Sequence, residues 1–210
     1  MRLDHVSYVA SHDQISDVVN RIGSQIGTAF VDGGIHPKFG TRNFTAPLLN
    51  KQYIEVVCPL DHPATDATPF GKLVQRSLQN GGGWTSWVIA VNEIEKIEQK
   101  LGRKSVEGVR KKPNGSTLFW KQIGVADSYE DNQLPFFVEW ISENHPSMST
   151  EAQANISEII IQGNRNKIVN WVGEDYAGSK EFELLNILPG TNSQINSIKF
   201  NVNGTDIEIY

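Results

Sequence analysis

The chain has 210 residues, of which 39% are hydrophobic and 20% charged, with 18 glycines and 9 prolines, values that exclude disordered, coiled-coil and collagen-like chains. Nineteen Lys and Arg against 24 Asp and Glu leave a net charge of −5, which opposes binding to a phosphate backbone, and the single Cys58 excludes a disulfide framework or a cysteine zinc cage. No apolar run is long enough to cross a bilayer, and the opening Met1-Arg2-Leu3-Asp4-His5 lacks a secretory core. The expectation is a soluble, cytoplasmic protein with neither a nucleic-acid nor a membrane partner.

In chain order, residues 1–66 read as a first unit. It opens on a β-rich run at 3–9 and continues with Ile15, Val18, Val19 and Ile22, one apolar stripe at helical spacing that runs into Gly23. A β-prone segment at 41–49 and a closing strand at 53–57, carrying Glu55, complete it. Residues 67–83 read as a connecting helix and joint. Thr68 and Pro69 suit its N-cap and first position, Phe70, Leu73, Val74 and Leu78 form its stripe, and Gly81-Gly82-Gly83 breaks it. That glycine run follows a helix and precedes a strand, the reverse of phosphate-loop order, so it reads as a joint.

Residues 84–147 repeat the pattern. A strand at 85–91 is followed by Ile94, Ile97 and Leu101, with Asn92 and Glu95 as capping residues and Gly102 as the stop. A strand at 117–125 and a closing strand at 137–141, carrying Glu139, come next. The Lys and Arg residues between 96 and 112 alternate with Glu93, Glu95, Glu98 and Glu107, the pattern of a solvated face. Residues 148–210 make a third, partial module. It has a strand at 156–161, a stripe of Ile168, Trp171 and Val172 before Gly173, and a hairpin signal at Asn203-Gly204 before a last strand carrying Glu208. The three carboxylates stand at closely matching separations from His5, Trp87 and Glu158. The predicted class is α+β, built of repeated β-α-β-β-β modules.

Strand alternation puts His5, Ser7 and Val9 on one face, and Tyr53, Glu55 and Val57 on one face of the closing strand. Glu139 shares its face with Phe137 and Ile141. A carboxylate within an apolar strand needs a partner, whether a metal ion, a His or Arg, or a ligand. Glu55 simply accepting hydrogen bonds from His5 or Arg42 satisfies the same need without chemistry.

The repeated modules resemble the vicinal oxygen chelate superfamily, which includes glyoxalase, extradiol dioxygenases and bleomycin-resistance proteins. More narrowly, Gly33-Gly34-Ile35-His36-Pro37-Lys38-Phe39-Gly40-Thr41-Arg42-Asn43, followed by Tyr53-Ile54-Glu55, is similar to the glyoxalase-like domain family, with its Gly-Gly-x-His, Gly-Thr-x-Asn, Tyr-x-Glu series. The resemblance implies that two modules pair into a U-shaped, half-open barrel, with the third C-terminal module added. It implies metal ligands at His5, Glu55 and Glu139. The fourth equivalent position, Trp87, cannot ligate. Zn, Mn, Fe or Ni suits such a donor set, and metal-free relatives in the superfamily leave a cavity that only binds a ligand as the alternative.

On this resemblance Glu139 or Glu55 is the catalytic proton carrier, Arg42, Asn43 and Trp87 are substrate contacts, and His36 is a substrate contact, a fourth metal ligand or a general base. Phe39 and Trp140 are either cavity wall or core; His12, His62 and His145 are loop or cap residues. The implied function is a metal-dependent lyase, isomerase or dioxygenase acting on a small oxygenated molecule. The alternative is a metal-free small-molecule binder of the resistance type. The third module is expected either to cover the open side of the first two or to pair across a homodimer.

Overall fold

The computed structural model describes residues 1–148 and 152–210. The first module consists of β1 (Arg2–Val9), α1 (Ile15–Ile26), β2 (Val31–His36), β3 (Thr41–Leu48) and β4 (Gln52–Pro59). Two helices follow, α2 (Pro63–Ala67) and α3 (Pro69–Gln79). The second module has β5 (Gly83–Ala90), α4 (Ile94–Leu101), β6 (Val106–Lys111), β7 (Thr117–Ile123), α5 (Val125–Glu130) and β8 (Phe136–Trp140). The C-terminal part has β9 (Ala154–Gly163), α6 (Arg165–Val172), α7 (Glu174–Ala177), a 3-10 turn, β10 (Leu185–Pro189), β11 (Gln194–Val202) and β12 (Thr205–Ile209).

Strands β1 to β8 form one barrel in the order β1-β4-β3-β2-β6-β7-β8-β5. Each module contributes a four-stranded sheet in which the opening strand pairs in parallel with the closing one. The seam between β1 and β5 is a long antiparallel ladder, whereas the seam between β2 and β6 rests on the pair Ile35 and Lys111. That thin second seam closes what the family pattern leaves half open.

Two apolar clusters follow from the alternation along these strands. The outer one joins Leu3, Val6, Ile54, Val56, Trp87, Ile89 and Phe137 to the stripes of α1 and α4. The inner one is closed by α3, whose Phe70, Leu73 and Val74 pack against Val9, Val57, Val88 and Val138 inside the barrel. Burying such side chains contributes roughly 1.5–3 kcal/mol each. Thr68 caps α3 through its hydroxyl and Pro69 occupies its first turn, as the sequence predicts.

Several local expectations change. Helix α1 runs through Gly23 and ends at Gly27, which takes the left-handed conformation (φ 67). Glu93, not Asn92, stands at the N-cap of α4 and makes no side-chain cap bond. The predicted strand at 117–125 stops at Ile123, and Val125 begins α5, a helix with no clear stripe in the sequence. The C-terminal sheet has the order β10-β9-β11-β12, so its last strand pairs with β11 and not with its first strand. Glu208 therefore has no counterpart relation to Glu55. It accepts a hydrogen bond from Ser197, while Glu158 pairs with Lys199.

The C-terminal sheet packs on the barrel. Ile159, Ile161, Ile198 and Phe200 join the outer cluster, and Trp84 Nε1 donates to the Ile209 carbonyl at 2.7 Å. Its apolar face is thus covered within the chain.

Candidate functional site

Cavity-facing residues come from the strand registers. His5 lies beside Tyr53 and Ser7 beside Glu55 in the β1–β4 ladder. In the second module the matching pairs are Val88 beside Phe136 and Ala90 beside Val138. The positions equivalent to His5 and Glu55 are therefore Val88 and Val138, both apolar. Trp87 and Glu139 lie one residue away, and one residue along a strand is the other face. Trp87 is buried in the outer cluster with Nε1 donating to the Gln133 carbonyl, and Glu139 pairs with Lys121 at 3.6 Å. The expected convergence of His5, Glu55 and Glu139 does not occur.

The barrel holds a small cavity into which His5, His36, Tyr53, Glu55, Arg110, Gln122 and an aromatic wall project. The wall includes Phe39, Phe70, Phe136, Trp120 and Trp140, so Phe39 and Trp140 line the cavity as well as packing.

Glu55 is buried and held by two donors, Asn43 Nδ2 at 2.6 Å and Ser7 Oγ at 2.9 Å. Burial alone raises its pKa, but the charges of His36 and His5 and these two hydrogen bonds reverse that and hold it below the usual value. The glycine-rich stretch makes the arrangement possible. A Cβ on Gly33 would stand 2.2 Å from Asn43 Oδ1, so a bare backbone there leaves room for the amide that holds Glu55. His36 accepts from or donates to Thr41 Oγ1 at 2.9 Å, and its Nε2 is 4.0 Å from Glu55. Burial drives its pKa down to about 4, with the charge of Glu55 opposing the shift, so the ring is neutral near pH 7.

His5 stacks on Tyr53 with ring centroids 4.4 Å apart, and its Nδ1 lies 2.9 Å from Asp4 Oδ2. Sequence neighbours on a strand normally point to opposite sides. Here the register shift between Leu3 and His5 in the β1–β5 ladder swings Asp4 toward the same network. Asp4 is fully buried, yet Arg2, His145 and Trp140 Nε1 also reach its oxygens, at 2.7, 3.0 and 3.1 Å. Burial would raise its pKa, but the hydrogen bonds of His145 and His5 and their charges hold it well below the usual carboxylate range. His145 thus belongs to this network as well as to its loop, where Nδ1 bonds Ser147. His62 is the cap residue the sequence suggests, accepting from the Ala64 amide. His12 is exposed on the turn before α1.

Arg42 is outside the cavity, paired with Asp32 and lying over Phe44. Asn43, expected at a substrate, is instead buried and committed to Glu55. Gln122 and Arg110, which line the cavity, and Asp4, which is buried behind His5, are the groups that sequence reasoning missed. Arg110 lies in the basic stretch read as a solvated face, yet it is 2% exposed. The available signal was alternation: Arg110 shares a face of β6 with Gly108, and a Cβ on Gly108 would stand 2.1 Å from the Trp120 ring.

The donor set does not suit a metal ion. Both Glu55 oxygens are engaged by Asn43 and Ser7, and the second module offers Val88 and Val138 at the equivalent positions. Among the described residues, no three His, Cys, Asp or Glu side chains are gathered as a metal ion requires.

Two β-α-β-β-β modules, paired through their opening strands around one cavity, are the architecture that the resemblance to the vicinal oxygen chelate superfamily implies. The chain belongs to the glyoxalase-like domain family, whose model matches residues 3–174. A hypothetical protein from Staphylococcus aureus shares the fold over 99% of this chain and 98% of its own, at 17% identity and a TM-score of 0.61. Methylmalonyl-CoA epimerase from Mycobacterium tuberculosis aligns over 66% of this chain and 86% of its own, at 13% identity and a TM-score of 0.44. The epimerase from Streptomyces coelicolor aligns over 68% and 99%, at 12% and 0.45. No curated protein matches the sequence. No helix among the described residues is long and apolar enough to cross a membrane.

Proposed function

We propose that the barrel cavity moves a proton on a small oxygen-bearing molecule without requiring a divalent metal, with His5 as the proton carrier. The observation that carries this reading is the Asp4–His5 pair, in which a buried, ionised carboxylate lies 2.9 Å from Nδ1 of a ring that lines the cavity. An ionised Asp4 accepts the Nδ1 proton and leaves the Nε2 lone pair as the base. The negative charge of Glu55 stabilises the imidazolium that forms when His5 takes a proton. His36 is neutral, and when Thr41 donates to its Nδ1, its Nε2–H is a donor for a substrate oxygen.

The test is proton exchange. A panel of small oxo and hydroxy compounds, charged and neutral, is incubated with the protein in deuterated water and followed by NMR. Label enters at carbon with the native protein, the rate falls by about 10²-fold or more in His5→Gln, and a chelator has no effect. Exchange that survives His5→Gln, or that a chelator abolishes and a metal restores, overturns the reading.

The aromatic wall and the full engagement of Glu55 favour a second reading, in which the cavity holds a ligand without converting it. Tight binding from the same panel without label uptake selects that reading.

A further inference from the structure

Arg110 has no use in the proton chemistry above. Its guanidinium is 2% exposed and lines the cavity, its Nε is buried without a partner, and it forms no ion pair among the described residues. Removing a guanidinium from water without pairing it is costly, and burial already presses on its charged form. Tyr53 and Glu55 act on it only through space. A buried cation left open in this way is the half of an ion pair that a ligand completes.

The charges around it narrow the class. Asp4 is balanced by Arg2, at 2.7 Å. Glu55 is satisfied by Asn43 and Ser7, and its negative charge faces the cavity. With Glu55 ionised, Arg110 and Glu55 together are neutral, so a bound monoanion leaves a net charge of −1 and a phosphate dianion −2, and the monoanion is the less costly guest. Arg110 also borders a second, open groove outside the barrel, shared with Lys112, Asp32 and His145, so it stands where the two spaces meet. Inward from it lie Phe70, Phe136 and Trp120.

We propose that Arg110 anchors the carboxylate of a monocarboxylic acid whose apolar body enters the aromatic part of the cavity. The guanidinium fork takes a planar carboxylate with two parallel hydrogen bonds. This names the substrate class of the site described above and rests on that reading, but its test requires no turnover.

The probes are propanoate, its neutral amide and inorganic phosphate. Each is titrated at fixed ionic strength into the whole protein while intrinsic tryptophan fluorescence, to which Trp120 and Trp140 in the cavity wall contribute, is followed, with calorimetry in parallel. The carboxylate binds, and the amide and phosphate bind at least tenfold more weakly. Arg110→Gln weakens the carboxylate on the order of tenfold to a hundredfold, and Arg110→Lys, which keeps the charge but loses the fork, falls between. Lys121→Gln, outside the cavity where Lys121 pairs with Glu139, binds the carboxylate as the native protein does, which separates anchoring from a general loss of positive charge. Thermal unfolding of Arg110→Gln at or above the native temperature shows that the variant is folded. Equal binding of acid and amide, unchanged binding in Arg110→Gln, or no binding of the acid overturns the proposal. The first two outcomes leave the His5 reading standing.

Discussion

Asn43 ties the glycine-rich stretch to the cavity carboxylate. Its amide reaches Glu55 Oε1 at 2.6 Å because Gly33 has no side chain to occupy that space. In Asn43→Ala a buried carboxylate oxygen loses its donor, an expected cost of about 1–3 kcal/mol in urea unfolding, and the Glu55 pKa moves upward. An unchanged unfolding midpoint would show that the hydrogen bond carries no weight. At this scale the sequence reveals one side of the site well. His5, Glu55 and His36 are recognisable from strand parity and from the motif that holds them, and the motif residues prove to be mutual hydrogen-bond partners. Asp4 and Arg110 are not recognisable. Asp4 enters through a register shift that no composition encodes, and Arg110 is hidden among charged neighbours that do face water.

Strand register decides more of the site than residue type does. Trp87 to Glu139 spans 52 positions (139−87) against 50 (55−5) from His5 to Glu55, and both side chains face outward; the true equivalents, Val88 and Val138, are the pair that spans 50 (138−88). A carboxylate on a strand is visible in the sequence; the face it takes depends on which neighbour the strand pairs with. Helix α1 shows a related limit, since Gly23 sits within it and Gly27 ends it. The seam between β2 and β6 imposes its own demand. Gly34 has φ 94, and a Cβ there would stand 1.8 Å from the Lys111 carbonyl oxygen. Backbone cannot yield as a flexible side chain does, so Gly34→Ala is expected to cost roughly 1–3 kcal/mol or more in chemical unfolding. A variant as stable as the native chain would mean that the seam opens at no cost.

Across the whole molecule, the C-terminal sheet follows a different strand order from the two modules, although its spacing in sequence resembles theirs. Hydrophobic periodicity shows that such strands exist, and pairing order is a property of the assembled sheet. The overall response to acid follows from three buried groups. His36 has its pKa lowered from 6.5 to about 4, and Glu55 and Asp4 are also held below their ordinary values. A group with a lowered folded pKa takes up protons more readily when unfolded, so its contribution is complete above its unfolded pKa and lost as pH falls through the folded one. Urea midpoints should therefore decline from about pH 6.5 to 4 through His36, with the carboxylates acting lower. His36→Gln should flatten the upper window and retain the lower fall. A native profile level across pH 6.5 to 4 would contradict the burial of a neutral His36.

The two paired halves of the barrel have unequal work. Asp4, His5, His36 and Glu55 all come from the first, whereas Arg110, Trp120, Gln122, Phe136 and Trp140 come from the second. The halves are not independent, since Phe39 and Tyr53 of the first complete the aromatic wall and Trp140 of the second donates to Asp4. Under the proposed reading, exchanges at Arg110, Trp120 and Gln122, none of which hydrogen-bonds Asp4 or His5, are the ones expected to alter which molecules the cavity takes.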